Sequence, residues 1–182
     1  MKGGLVMTEE NSMAFERSMD MLDSSIQEMR RVAHNMMPEA LVKFGLDTAL
    51  KDFCSHITNS GALSIRYQSI GLEDMIIDQI TAINIYRIVQ ELINNTMKHA
   101  AATNALVQVT KTNDTISVTV EDDGKGFDTR LVNQANPVSG QHSIGWHNIQ
   151  NRIEFLKGKL DIWSGEKEGT SVHIEINIHK EI

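Results

Sequence analysis

Four short stretches carry residue types that could do chemistry, and each is ordinary by itself. In "QELINNTMKHA", Glu91 and Asn95 stand four positions apart and Lys98 lies one turn further on, so a helix would put all three on one face. Taken alone, that stripe reads as a solvated helix surface. In "EDDGKGF" the D-x-G-x-G core is Asp122, Gly124 and Gly126. Two glycines two positions apart after a strand let a backbone approach a ligand closely or adopt positive φ, and the same pattern also makes a plain turn. In "SIGWHNI", Gly145 is expected to precede a helix whose exposed amides and dipole would favour a phosphate. A glycine in a loop before an unremarkable helix explains it as well. In "EGTSVHIEI", Gly169 and Thr170 open a last strand, which alone would be read as a turn. His34, in "MRRVAHNMMPEA", stands four residues before Pro38. It could be a phosphate acceptor, a metal ligand or a polar side chain near a helix end.

Elements must position these residues. Over about 8–37, Phe15, Met19, Leu22, Ile26, Met29, Ala33 and Met36 recur at spacings of four and three, which predicts a long amphipathic helix with a narrow, heptad-like seam. Pro38 and Gly45 break it. "LDTALKDFCSHITNSG" predicts a shorter helix stopped by Gly61, and "ALSIRYQS" a strand with Leu63, Ile65 and Tyr67 alternating. The helix predicted over 76–100 has Ile85, Ile88, Val89, Leu92, Ile93 and Met97 on one face. Asn84, Arg87, Glu91, Asn95 and Lys98 line the other. "NALVQVTKTNDTISVTVEDDG" is a hairpin across Asn-Asp. Residues 128–145 have little periodicity, and a stretch that long inside a domain is functional or mobile. "WHNIQNRIEFLKG" then reads as a helix closed by Gly158, and "KLDIWS" and "TSVHIEINI" as strands. Hairpin strands with helices able to cover one face imply an α+β fold, a two-layer α/β sandwich with a mixed, mostly antiparallel sheet.

Composition removes several function classes. The chain has 182 residues, enough for one full domain with an appendage. Seventeen Lys and Arg against 24 Asp and Glu give a net charge of -7, which argues against nucleic acid as a partner. The single cysteine, Cys54, cannot form an internal disulfide, and with His56 makes only a weak C-x-H pair, so a packed, inert thiol is expected. No apolar run reaches the roughly 18 residues of a membrane span, and the N-terminus lacks a secretory segment. The expectation is a soluble, cytoplasmic fragment without membrane contact of its own, whatever anchors its parent protein. Eight of the 10 methionines fall in the first 37 residues, as helix packing or partner-facing surface.

In this order, the four pieces are much more specific than any one. From about 45 to 180 the chain resembles the ATP-binding catalytic domain of sensor histidine kinases, in the GHKL superfamily shared with gyrase, certain heat-shock chaperones and mismatch-repair ATPases. "QELINNTMKHA" looks like the N box, "DDGKGF" like the first glycine box and "SIGWHN" like the second. Residues 26–50 look like the nitrate-sensor and DesK-type kinases. The resemblance implies a Bergerat (GHKL) fold that binds ATP and Mg2+. Asn95 would ligate Mg2+ through its side-chain oxygen, in keeping with the metal's demand for a few hard oxygens from protein. Glu91 would be the catalytic carboxylate, orienting the attacking group or a water near the metal. Lys98 and His99 would meet phosphate oxygens. Asp122 would accept from the adenine amine, supported by Thr170, with Gly124, Gly126 and Gly145 closing around the nucleotide. The lid would span about 128–145. Two positions depart from the family pattern: Ser143 where glycine is usual and Trp146 where leucine is usual.

The resemblance also bears on His34. "AHNMMP" is similar to a phosphoacceptor box, but the stretch from His34 to Asn95 is already used by the 46–60 helix, the 62–69 strand and most of the N-box helix. His34 is therefore expected to be structural. Residues 1–40 would be the second helix of a dimerisation and phosphotransfer hairpin, and 41–182 the ATP-binding domain. Such a domain would pass the γ-phosphoryl of Mg-ATP to a histidine on a segment outside this chain, for relay to a response regulator receiver domain. The parent would form a homodimer through its helical hairpin. The alternative is a regulatory binding module, anti-sigma-like or degenerate, without phosphotransfer.

Overall fold

The computed structural model describes Phe15, Met19 and residues 39–72, 77–129 and 141–178, with only the helical backbone at Glu39 and at 141–144. The backbone divides into two compact units, Met1–Glu39 and Ala40–Ile182. In the first, Phe15 and Met19 are helical and exposed; the remainder of the predicted 8–37 helix, His34 included, lies outside the described residues.

In the second unit, helix α1 (Glu39–Ser60) carries Gly45 at φ 80 and ψ 179, so it is two helices joined at a kink. The glycine break is present at Gly45, because only a residue without a Cβ takes that backbone readily, but 39–44, expected to be part of the interruption, are helical. Strand β1 (Ser64–Ile70) leads to α2 (Gln79–Asn95). Asp78 sets the start of α2 by accepting from the Thr81 amide at 2.9 Å, three residues later than the sequence pattern predicts. Ala82, Ile85, Tyr86, Ile88, Val89, Leu92 and Ile93 bury its inner stripe. Each large aliphatic side chain among them contributes about 1.5–3 kcal/mol of transfer free energy.

Strands β2 (Asn104–Thr112) and β3 (Thr115–Asp122) form the expected hairpin, with Asn113 at φ 53 in the turn. Helix α3 (Gln141–Phe155) precedes β4 (Lys159–Gly165) and β5 (Gly169–Asn177). The five strands lie in the order β1-β2-β3-β5-β4. Only β1 and β2 run parallel, joined through α2 as the crossover. The other pairings are antiparallel, as the patterning implied.

The alternation of β2, β3 and β5 puts Val107, Val109, Ile116, Val118, Val120, Val172, Ile174 and Ile176 into one buried layer with Ile85, Ile88, Ile149 and Ile153 of the helices. The opposite sheet face is polar, with Thr119 bonding His173 across the β3–β5 register at 2.9 Å. The second unit is thus a two-layer sandwich in which α1, α2 and α3 pack into one core with the sheet. Among the described residues no helix is long and apolar enough to cross a membrane.

Candidate functional site

The site is built where the C-terminal end of α2 meets the end of β3. Beyond Asn95 the helix widens into one π turn, Thr96–Ala100, ended by Ala101 in the left-handed region (φ 52). Single π turns often mark functional positions. The wider turn takes Lys98 out of strict helical register with Glu91 and Asn95. Lys98 is exposed there and His99 is half-buried.

Thr96 is buried, and its hydroxyl lies 3.2 Å from the Leu92 carbonyl and 3.0 Å from Asp122 Oδ2. The Gly124 amide donates to Asp122 Oδ1 at 2.9 Å. Both carboxylate oxygens are thus held from within the fold, which fixes the plane of the group while leaving lone pairs for a ligand. Thr170 is the register partner of Asp122 on β5. Its hydroxyl pairs with Ser164 Oγ at 3.1 Å rather than with Asp122.

The glycines of the first box serve close backbone packing. A Cβ at Gly124 would come within 2.6 Å of the Ala100 carbonyl oxygen, so this glycine lets the loop dock on the π turn, where the Lys125 amide donates to that carbonyl at 2.9 Å. Gly126 has φ 66 and lies against the Gly165 carbonyl in the β4–β5 turn. Ser164 ties the same region together: it accepts from the Phe127 amide at 2.9 Å and donates to the Gly169 carbonyl at 2.9 Å. Of the two uses the sequence left open, positive φ holds at Gly126, and the close approach is to the protein's own backbone.

Gly145 corrects an expectation. It does not precede helix α3 but lies inside it, in the second turn, because the helix already starts at Gln141. A helix N-terminus aimed at a phosphate from Gly145 is therefore absent. The physical reason for glycine here is steric: a Cβ would meet Glu91 Oε1 at 2.5 Å and Asn95 Oδ1 at 3.5 Å. Gly145 is thus packed directly on the two polar side chains of the α2 stripe. Of the stretch 128–145 expected to be a lid, 141–145 are helical and 130–140 lie outside the described residues.

Next to Gly145, the Trp146 ring packs against Phe127, centroids 5.7 Å apart at 49°. The departure from leucine therefore joins the two glycine boxes through an aromatic pair. Asn95 carries the most telling atom of the site. Among the described residues its Nδ2 is buried without a hydrogen-bond partner, which costs about 1–3 kcal/mol and flags a functional position. An amide oxygen beside a carboxylate, with an unsatisfied amide and no bulk on the facing helix, is a donor set that fits a hard cation and phosphate oxygens.

The fold brings Glu91, Asn95 and Gly145 together at one end, and Asp122, Gly124, Gly126 and Thr170 at the other. A cleft of about 550 Å3 opens at the sheet end, lined by Asp122, Thr170, Glu121, Trp163 and Thr129 among others; it does not reach Glu91 or Asn95. Sequence reasoning missed Thr96 and Ser164. Thr96 falls four after Leu92, on the apolar stripe, and Ser164 follows Leu160 and Ile162 on the inner face of β4. A hydroxyl on a buried stripe demands a partner, and that was the available signal. Cys54 is buried and its thiol is pushed up to about 12 by desolvation, so the inert reading holds. No cluster of three or more metal-binding side chains occurs among the described residues.

Comparison with known proteins places this geometry. Residues 80–180 match the model of the histidine kinase-, DNA gyrase B-, and HSP90-like ATPases. The chain is 29% identical to the sensor histidine kinase MctS of Rhizobium johnstonii over 158 residues, covering 87% of this chain and 33% of that protein. It is 30% identical to the signal transduction histidine-protein kinase/phosphatase DegS of Brevibacillus brevis over 161 residues, covering 88% and 40%. The histidine kinase domain of the Erythrobacter litoralis EL346 blue-light activated kinase superposes with a TM-score of 0.56 at 26% identity, covering 73% of this chain and 61% of that one. The chain thus spans well under half the length of these two curated relatives. With the family's match running from α2 through β5, over more than half of its length, the chain belongs to the histidine kinase-, DNA gyrase B-, and HSP90-like ATPase family, and its likeness there is to the sensor histidine kinases.

Proposed function

We propose that this chain is the ATP-binding part of a sensor histidine kinase, working in the cytoplasm, which passes the γ-phosphoryl of Mg-ATP to a histidine on another segment for relay to a response regulator receiver domain. The observation that carries this reading is the buried, unsatisfied Asn95 amide beside Glu91 under Gly145, opposite an Asp122 whose carboxylate is already oriented. Residues 1–40 would supply one helix of the dimerising hairpin in the parent protein.

In this reading Asp122 accepts the adenine amine. Guanine offers a carbonyl there, so a carboxylate would face another acceptor, at a cost of about 1–3 kcal/mol for the mispaired group. Asn95 would hold Mg2+ through Oδ1, and the bound ion would neutralise charge on the phosphates. Glu91 orients the incoming imidazole or accepts its proton. Lys98, exposed on the π turn, reaches phosphate as a point charge, and His99 as a donor. Positioning supplies most of the catalysis.

The test is incubation of the chain with γ-labelled Mg-ATP and the acceptor-bearing hairpin as a second polypeptide, next to Asn95→Ala. Acid-labile label on the hairpin is expected, lost in Asn95→Ala together with Mg-dependent nucleotide binding. Unchanged Mg-ATP affinity in that variant would remove the metal assignment. Nucleotide binding without any transfer would leave a degenerate, regulatory domain.

A further inference from the structure

Helices α2 and α3 lie side by side and antiparallel: Gly145 sits on Glu91 at one end, and Arg152 Nη1 donates to Asn84 Oδ1 at 3.0 Å at the other. Between these points lies Arg87, whose Nη1 donates to Gln90 Oε1 at 2.6 Å. Arg87 and Arg152 are both half-buried and near enough for the charge of Arg152 to act on Arg87. Burial first, and then that like charge, lower the Arg87 guanidinium from its ordinary value, against an opposing pull from Tyr86.

Among the described residues, neither arginine has a carboxylate partner. The bonds given above are to neutral amides, and Arg87 does not close on Glu91, although the two stand four apart on one helix. Two cations set together in a partly desolvated groove repel each other unless an anion joins them. In a chain of net charge -7, a pair with no acidic partner among the described residues is a local conflict of the kind that marks a functional surface. The surface continues into exposed apolar side chains: Phe155, three residues after Arg152, is 64% exposed, and Ile80, one turn before Asn84, is 59% exposed.

We infer that Arg87 and Arg152 form a carboxylate-recognising groove that docks the segment delivering the phosphoryl-accepting group to Glu91. The inference rests on the function proposed above and adds the chemistry of the partner. Arg87 stands about 6 Å along the helix axis from Glu91, at 1.5 Å per residue, so a helix reaching Glu91 along this groove passes the arginines first. That helix must carry one or two carboxylates on the face it turns to the groove, about one turn from the accepting group, and an apolar residue to meet Phe155. Planar guanidiniums suit such pairing, since each can take a carboxylate through two parallel N–H donors. Arg87 and Arg152 are positioning residues here: they touch the partner, not the nucleotide.

The test uses the whole chain with the fluorescently labelled acceptor hairpin of its parent protein as the probe, at low and at raised salt. Hairpin binding and ATP binding are measured separately on the wild type, Arg152→Glu, Arg87→Gln and Arg152→Lys. Hairpin affinity should fall about tenfold or more in Arg152→Glu and by less in Arg87→Gln, be partly kept in Arg152→Lys, and weaken with salt. ATP affinity should stay unchanged throughout. Reversing the matching carboxylate of the hairpin to Lys should restore binding to Arg152→Glu. A hairpin that binds all variants equally, or does not bind the wild type, overturns the inference. Loss of ATP binding by the wild type instead overturns the function on which it rests.

Discussion

Gly145 and Glu91 touch across two helices so closely that a single methyl on the glycine would come within 2.5 Å of Glu91 Oε1. The atom in the way is the tip of a flexible side chain, so the fold can yield where the chemistry cannot. Gly145→Ala should therefore leave thermal stability equal or higher, because alanine in a helix interior is about 0.8–1.0 kcal/mol better than glycine. On the role proposed for Glu91, phosphoryl transfer should fall by about tenfold or more, since small misplacements of a catalytic group are that costly. Melting curves and labelling rates on the same preparation check both halves.

Thr96 holds one oxygen of the Asp122 carboxylate. Thr96→Val keeps the shape and removes the donor, and a lost hydrogen bond to a charged group is worth about 1.5–3 kcal/mol. The dissociation constant for ATP should rise by about tenfold or more, and Thr96→Ser should recover most of it. Calorimetric titration with ATP and GTP decides the matter: equal affinities for wild type and Thr96→Val would show that the carboxylate keeps its orientation without help.

Asp122 should govern the choice of base. Asp122→Asn presents an amide donor that can turn toward the guanine carbonyl, so the preference for ATP over GTP should shrink. Competition between the two nucleotides for one labelled ligand measures it, and an unaltered ratio would take Asp122 out of base recognition.

Asp123 gives a pH signature outside the site. Its carboxylate accepts from the Asn104 amide at 2.9 Å and side chain at 2.8 Å, and from the Thr103 hydroxyl at 2.9 Å and amide at 2.8 Å. These bonds, those of Asn104 foremost, hold it below the usual aspartate range. A carboxyl depressed in the folded state stabilises fully above its ordinary value of about 3.9 and loses that contribution as pH falls below it. Asp123→Ala should therefore be less stable than wild type at neutral pH, with the gap closing on acidification. Denaturant midpoints at neutral and strongly acidic pH check the sign.

Cys54 should be silent toward thiol reagents in the native state, since a buried thiol pushed up to about 12 supplies almost no thiolate at neutral pH. Modification should track unfolding, as seen by following colour release along a denaturant series. Fast labelling of the folded protein would contradict the burial.

Much of this molecule was legible because its strands alternate cleanly and its helices keep a 3.6-residue stripe. Val107 and Val109 against Val118 and Val120 set the hairpin, and Ile85, Ile88, Val89 and Leu92 set α2, by periodicity alone. Asp122 and Asn95 were legible as members of motifs. Spacing could not show that α3 starts before Gly145, because "QHSI" has no apolar period and glycine within a helix is disfavoured unless a neighbour leaves no room for more. Nor could spacing announce the π turn that shifts Lys98, which depends on how the loop after Asp122 docks on Ala100. Thr96 and Ser164 were hidden for a third reason: their partners are 26 and 37 positions away, and only the folded chain brings them together.

The strand order has a consequence for how this domain comes into being on the ribosome. Strand β5, the last of the five in chain order, sits between β3 and β4 rather than at an edge. A nascent chain that has emerged as far as β4 has an edge of β3 without its neighbour and a strand with nothing to pair to. Thr170, Ser164 and the Gly126 turn cannot assemble until Gly169–Asn177 has been made and inserted. A nascent chain without the last strand therefore lacks the contacts that tie the first glycine box to the β4–β5 turn, and these form together once Gly169–Asn177 is in place.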